Sequence, residues 1–145
     1  MWQRAQTLYL AIATILIGLM FFMDKAVVMA ADGSVAQAFG FTSYVPYAIL
    51  LAIITFLNIL ALTTYKIRVF QMRTAALSAI ITIALQAWLA VDFASTHTQM
   101  VFKVAAIFPL LAVIMDLLAV RGILADQMLV ESASSLRKSR RERRK

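Results

Sequence analysis

Four long apolar segments, separated by charged residues, constrain the fold of this chain more than any other feature. The first, residues 5–23, reads "AQTLYLAIATILIGLMFFM" and contains no charged side chain. At about 1.5 Å per residue, a helix of this length covers the roughly 30 Å hydrocarbon core of a bilayer. The other segments are about 44–65, 74–91 and 104–120. None of them alternates polar and apolar residues, which favours helices over barrel strands.

Composition supports the same class of protein. Hydrophobic residues make up 63% of the chain and charged residues only 14%, so too few polar side chains exist to cover a soluble domain of this size. The sequence therefore predicts an all-α integral membrane protein, an antiparallel four-helix transmembrane bundle with a cytoplasmic C-terminal helical extension and a basic tail. The predicted units are the bundle at 1–120, a juxtamembrane helix at 121–136, and a disordered tail at 137–145.

The connections between the segments are predicted as short loops and turns. The longest is 24–43, and the links at 66–73 and 92–103 are short enough to make consecutive spans antiparallel. A cleaved signal peptide is a competing interpretation, because "VMA" at 28–30 loosely resembles a cleavage site. Asp24 and Lys25, however, interrupt the apolar run before it.

The distribution of Lys and Arg predicts the orientation. With a cytoplasmic N-terminus, twelve of the fourteen basic residues lie inside and only Lys25 and Lys103 lie outside. The positive-inside rule then places both termini in the cytoplasm. The twelve inner residues are Arg4, Lys66, Arg68, Arg73, Arg121, Arg137, Lys138, Arg140, Arg141, Arg143, Arg144 and Lys145.

The last eleven residues, "SLRKSRRERRK", contain seven of these bases and one acid. A tail held beside the cytoplasmic leaflet gains about 1 kcal/mol per base from anionic lipid. Anionic lipid headgroups are therefore the first expected partner of the tail. An unidentified protein partner, or RNA such as a ribosome at the membrane, is the alternative.

Asp116 is the one ionisable side chain inside a predicted span, which makes it a candidate functional residue. It precedes Arg121 by about one and a half turns, so an ion pair with a base from residues 66–73 or from the start of the tail is the simpler expectation. Asn58 and Gln86 are amides within spans two and three, and both are expected to face other helices as hydrogen-bonding groups. Together the three could line a polar path for an ion.

Catalytic and metal-binding patterns are missing from the sequence. His97 is the single histidine and cysteine is absent, so a zinc site has no second ligand of either kind. No nucleophile triad, phosphate loop or dinucleotide fingerprint is present. We therefore expect no cofactor and no enzymatic activity.

Three stretches resemble a known family. They are "WQRAQTLYL" at the start, "YKIRVFQMR" after span two, and "LAVRGILADQMLVESASSLR" after span four. Together they resemble domain-of-unknown-function family 4293, small four-span membrane proteins of Bacteroidota. The resemblance implies an inner-membrane location in a Gram-negative bacterium and brings no activity with it.

All three stretches fall on the predicted cytoplasmic side, so a recognition surface is expected there. We expect a non-enzymatic membrane component or scaffold that presents this basic face to lipid or to a partner. The alternative is a small transporter or channel subunit that uses Asp116, Asn58 and Gln86. The candidate residues of the cytoplasmic face, in addition to the twelve basic residues above, are Gln3, Gln6, Gln71 and Asp126.

Overall fold

Four α-helices make up most of the chain in a computed structural model that describes the backbone of residues 2–142 and the side chains of residues 5–140 and 142. Helix α1 covers Trp2–Met20, α2 covers Val45–Thr63, α3 covers Arg68–Thr96, and α4 covers Phe108–Glu142. Turns of 3-10 helix at Phe41–Ser43 and Val104–Ile107 lead into α2 and α4. Each helix overlaps one of the four apolar segments.

The two prolines mark where two of these helices begin. Pro46 and Pro109 are each the second residue of their helix, α2 and α4 respectively. The N–H groups of a first turn have no acceptor within the helix, so a residue without an N–H costs little there. Pro109, predicted inside the fourth span, therefore starts the α-helix and does not kink it.

The helices pack side by side. Helices α2 and α4 each lie against both α1 and α3. The larger buried cluster joins apolar side chains of all four helices, among them Ile17, Leu51, Leu85 and Ala112. A smaller cluster consists of Leu10, Ala61, Ala75 and Ala119, and its alanines allow the helix backbones to approach closely.

The outward faces of the helices are also apolar. Ile15, Phe56 and Ile80 are each about 60% exposed, and an apolar surface on the outside as well as the inside is typical of a protein in lipid. By length and composition, three helices could cross a membrane, namely Val45–Thr63, Arg68–Thr96 and Val104–Arg140, while Ala5–Met20 is a shorter apolar helix. These features indicate a membrane protein.

A small antiparallel sheet occupies one end of the helical body, which we call the sheet end. Its strands are β1 at Asp24–Met29, β2 at Val35–Gly40 and β3 at Val101–Phe102, in the order β2-β1-β3. Val27 of β1 lies opposite Ala38 on one side and Val101 on the other. The prediction of an all-α fold with plain loops at 24–43 and 92–103 is therefore wrong at this end. Strand β3 comes from a segment distant in sequence, so local pattern alone did not indicate the pairing.

A tight turn joins β1 to β2. Gly33 has a φ of 79°, which a residue without a side chain adopts at little cost. The Asp32 carboxylate accepts hydrogen bonds from the Ser34 hydroxyl at 2.6 Å and from the Ser34 N–H at 3.0 Å. These hydrogen bonds, led by the one from the hydroxyl, hold the pKa of Asp32 below its usual value. An Asp-Gly pair between short strands is a common hairpin signal.

Two helices are longer than their predicted spans. Helix α3 begins at Arg68, so the connection between α2 and α3 is only residues 64–67. Where the sequence predicts a span, a juxtamembrane helix and a disordered tail, the structure instead has one helix from Phe108 to Glu142. Residues 121–142 are rich in Leu, Ala, Glu, Lys and Arg, which are strong helix formers, and contain no proline. Residues 143–145 lie outside the described part of the chain.

Candidate functional site

A small cavity lies at the end of the helical body opposite the sheet, where the 64–67 connection joins α2 to α3. We call this end the turn end. The cavity has a volume of about 90 Å³ and is lined by Gln6, Thr7, Leu62, Tyr65, Arg68 and Gln71. We call it the amide cavity, because Gln6 and Gln71 are both more than nine-tenths buried. Three predicted residues of the cytoplasmic face, Gln6, Arg68 and Gln71, are thus brought together from two helices.

Gln6 is held in place by a close approach of α1 to α4. A Cβ atom added to Gly122 would lie 2.9 Å from Cγ of Gln6 and 3.4 Å from its Nε2, so a larger residue at 122 would push the amide aside. Nε2 of Gln6 is buried and has no hydrogen-bond partner in the described part of the chain. A buried donor without an acceptor is costly, typically about 1–3 kcal/mol, and therefore calls for an explanation.

The start of α3 forms another part of this cavity. No side chain of the described residues caps the helix at Ile67, and the first turn contains no acidic residue. Arg68 is the first residue of α3, so its cation lies at the positive end of the helix dipole. A positive charge at this end would destabilise an isolated helix. The positive potential of the arginine adds to that of the helix terminus.

The other predicted residues of the cytoplasmic face lie apart from the cavity. Lys66, Arg73 and Arg121 are exposed, and Asp126 is half-buried on α4. Arg137, Lys138 and Arg140 are exposed near the end of α4, and the first two border a shallow surface cavity of about 510 Å³ together with Ala133 and Ser134. The side chains of Gln3, Arg4 and Arg141, and residues Arg143, Arg144 and Lys145, lie outside the described part of the structure.

A buried polar cluster lies deeper, between α2, α3 and α4. The Ser78 hydroxyl donates a 3.0 Å hydrogen bond to Oδ1 of Asn58, and both residues are fully buried. Asp116 is fully buried as well and lies beside Ser78. Both carboxylate oxygens of Asp116 and Nδ2 of Asn58 are buried without a hydrogen-bond partner among the described residues. Asn58 therefore faces other helices as predicted, and Ser78 is the partner that the sequence did not reveal.

Among the described side chains, Asp116 forms no ion pair with residues 66–73 or with the start of the tail, so that expectation is wrong. Five residues of α-helix turn by about 140°, so Arg121 lies on the exposed side of α4 while Asp116 faces the interior. Gln86 does not join this cluster either. It is half-buried and lines a separate cavity of about 420 Å³ near the sheet end, together with Phe93, Phe102 and Lys103. The predicted path through Asp116, Asn58 and Gln86 is thus not assembled in one place.

Charged side chains at the sheet end are paired with one another. Nζ of Lys25 on β1 lies 2.5 Å from Oδ2 of Asp92 on α3, and the Tyr47 hydroxyl donates to the same oxygen at 2.8 Å. Nζ of Lys25 also lies 4.8 Å from the centre of the Tyr47 ring. A second ion pair joins Lys103 to Asp24 at 2.7 Å. These contacts attach the sheet to the helices.

Aromatic rings lie beside the partly buried ion pair of Lys25 and Asp92. Tyr44, Tyr47 and Trp88 form a cluster with ring centres 5.4 to 6.3 Å apart. Together with Lys25 and Asp92 they border a half-open cavity of about 450 Å³. Sequence reasoning missed this group, since it used Lys25 only to count charges and to argue against a cleaved signal peptide. The spacing of Lys25 and Asp92 along the chain gave no indication that they pair.

Metal binding has no support in the side chains that the structure describes. Across those residues, no three His, Cys, Asp or Glu side chains come together as a ligand set. The chemistry available is therefore that of hydrogen-bond donors and cations at the turn end, an unpartnered carboxyl group in the interior, and paired charges at the sheet end.

The family of the chain is established by its sequence. Residues 2–136 match the family described as Domain of unknown function (DUF4293). The chain belongs to this family. The match confirms the family that the three sequence stretches indicated. No curated protein and no solved structure matches the chain. In this DUF4293 protein, the stretch "YKIRVFQMR" contributes Tyr65, Arg68 and Gln71 to the amide cavity.

Proposed function

We propose that this protein is a non-enzymatic component of a bacterial inner membrane that presents a basic helical extension to a macromolecular partner in the cytoplasm. In this proposal α1 to α4 form a four-helix transmembrane bundle with both termini cytoplasmic. The charge distribution supports this orientation, because only Lys25 and Lys103 would lie outside. The turn end is then cytoplasmic and the sheet end external.

The observation that carries the proposal is the continuity of α4. Gly122 contacts Gln6 and therefore lies at the level of the turn end. Arg137 follows on the same helix, about 22 Å farther along its axis at about 1.5 Å per residue. The screening length at physiological ionic strength is about 8 Å. A helix that continues in this direction carries its basic end roughly three screening lengths beyond the bundle, even allowing for a moderate tilt.

This distance favours a partner in the cytoplasm over the lipid headgroups that the tail sequence suggested first. Arg137, Lys138 and Arg140 are exposed and helical, so their guanidinium and ammonium groups are arrayed on a rod. A partner with an anionic surface, either an acidic protein or the RNA of a ribosome, could bind such a rod through several charge-assisted hydrogen bonds. A disordered tail would lose more conformational entropy on binding.

The decisive experiment compares three versions of the full chain in a mild-detergent pull-down followed by mass spectrometry. They are the native chain, a chain lacking 137–145, and a chain in which residues 137–145 are shuffled. The shuffled chain keeps the composition and is the matched control for charge. We expect the native chain to retain a defined partner that the truncated chain loses. Recovery of the same set of proteins from all three chains would contradict the proposal.

The orientation is tested separately. A reporter fused after Lys145 should report the cytoplasm, and one inserted near Gly33, in the exposed turn between β1 and β2, should report the external side. An external C-terminus would overturn both the topology and the cytoplasmic partner.

A small transporter or channel subunit is a second candidate, favoured by the unpartnered and fully buried Asp116 beside Asn58 and Ser78. An ionisable group inside a span often marks an ion pathway. Against this candidate, Asp116 lines none of the cavities described above, and Gln86 lies elsewhere. Proton uptake into proteoliposomes that is abolished by Asp116→Asn would favour transport over the proposed role.

A further inference from the structure

We propose that the amide cavity is a binding site for a phosphate group, supplied by the headgroup of an anionic membrane lipid. The site is separate from the basic extension of α4 and does not depend on the function proposed for it. Four observations lead to it, namely the uncapped start of α3, the buried unpartnered amide of Gln6, the volume of the cavity, and the apolar surface beside it.

The first observation is electrostatic. Three N–H groups in the first turn of any α-helix lack an acceptor within the helix, and such a turn attracts anions. Helix α3 has no side-chain cap and no acidic residue in its first turn, and it begins with Arg68. Arg68 and Gln71, both from this turn, line the cavity, and no carboxylate of the described residues does so. An anion in the cavity would be stabilised by both the helix terminus and the guanidinium group.

The second observation identifies hydrogen-bond donors that are already buried. Gln6 is 5% exposed, lines the cavity, and has an Nε2 atom that no described residue pairs with. Gly122 allows the Gln6 side chain to occupy this position, because a Cβ atom there would collide with it. A phosphate oxygen is an acceptor that would satisfy the amide. The Tyr65 side chain, which also lines the cavity, provides a further donor.

The size and location of the cavity restrict the kind of ligand that it can bind. Pockets for drug-sized ligands have volumes of about 300–1,000 Å³, whereas this cavity has about 90 Å³. The cavity therefore fits a phosphate group and not a whole cofactor.

The apolar side chains of Ile67, Val69 and Phe70 are exposed next to the cavity, at 60%, 40% and 43%. Acyl chains could lie against these side chains while the phosphate occupies the cavity, as in basic lipid sites between membrane helices.

The test uses the full chain in a neutral detergent, titrated with phosphatidylglycerol and monitored by native mass spectrometry. We expect one phosphatidylglycerol to remain bound after the other lipids dissociate. Arg68→Gln should weaken this binding about tenfold, since a hydrogen bond to a charged group is lost. Arg73→Gln is the matched control. It removes the same charge from an exposed position on α3 that does not line the cavity, and it should change the affinity less than twofold.

A second variant tests the site without changing its charge. Gly122→Ala should displace Gln6 and weaken phosphatidylglycerol binding severalfold while Arg68 is intact. Two further ligands separate the source of the phosphate. Oleate is an anionic lipid without phosphate and should not compete, and inorganic phosphate should compete only weakly because it lacks acyl chains. Circular dichroism confirms that each variant is folded.

Three results would overturn the inference. Equal effects of Arg68→Gln and Arg73→Gln would reduce the binding to general charge attraction. Competition by oleate as strong as by phosphatidylglycerol would exclude recognition of phosphate. Tight binding of inorganic phosphate with no retained lipid would show a phosphate site but not a headgroup site.

Discussion

The two ends of the helical body handle charge in opposite ways. At the sheet end, Lys25 is paired with Asp92 and Lys103 with Asp24, and a tyrosine hydroxyl completes the first pair. At the turn end, Arg68 lies at an uncapped helix start, and the buried amide of Gln6 has no partner among the described residues. At the sheet end these four charged side chains are paired with one another, while the turn end presents hydrogen-bond donors without acceptors among the described residues.

This difference suggests that the two ends have different roles, with the sheet end stabilising the fold and the turn end binding a ligand or partner. A group that is already paired within the chain gains little from a ligand, whereas an unpaired buried donor gains the full value of a hydrogen bond. The sheet end thus serves to hold distant segments together. The turn end, with the basic extension of α4 continuing from it, is where we expect binding. The following predictions test this division, beginning with the largest effect.

Breaking the partly buried ion pair between Lys25 and Asp92 should have the largest effect on stability. We expect Lys25→Met to lower the free energy of unfolding by about 2 kcal/mol, because Asp92 loses a charge-assisted hydrogen bond. Unfolding in mixed micelles of increasing SDS fraction measures the change. Lys103→Met is the control, and it should cost less than about 1 kcal/mol, since its pair with Asp24 is more exposed. Equal losses from both would show that burial of the first pair does not matter.

Crowding the contact between α1 and α4 should have the next largest effect. Gly122→Ala places a Cβ atom 2.9 Å from Gln6, and we expect it to destabilise the protein by about 1 kcal/mol. Gly18→Ala is the matched control on α1, where nothing lies within 4 Å of the added atom. That variant should be neutral or stabilising by up to about 1 kcal/mol, from the better helix propensity of alanine. The same unfolding assay distinguishes them, and a stable Gly122→Ala protein would refute the close approach.

Reversing the charge at the start of α3 should have a smaller effect, and in the opposite direction, because it should stabilise the protein. In neutral detergent we expect Arg68→Glu to stabilise the protein by about 0.5 kcal/mol, because a carboxylate interacts favourably with the helix dipole. Arg73→Glu, which lies beyond the first turn, should give no gain. Thermal unfolding followed by circular dichroism would measure both. A loss of stability with Arg68→Glu would mean that Arg68 has an unseen partner within the chain.

Replacing the interior carboxyl group should have the smallest effect. Asp116→Asn removes no hydrogen bond that the described residues make, so we expect the unfolding free energy to change by less than about 0.5 kcal/mol. The amount of folded protein extracted from membranes is a second measurement. A loss of about 3 kcal/mol or more would indicate a buried ion pair formed in the membrane.

Part of the candidate site could be predicted from the sequence. The positions of Gln6, Arg68 and Gln71 at segment ends placed them on one face, and the structure brings them into one cavity. The pairing of Ser78 with Asn58, and of Lys25 with Asp92, could not be predicted in this way. Both pairs depend on which faces of separate elements meet, and residue spacing within one element does not encode that.

The sequence by itself determined the class of the protein, because the apolar segments are continuous enough for their helical state to follow from composition and length. It also determined the family. Only the tertiary structure decided that segments 24–43 and 92–103 meet as a sheet, since strand pairing is a long-range contact. It likewise decided that Asp116 faces Ser78 and not a base, because helix rotation and packing select which face of α4 is buried.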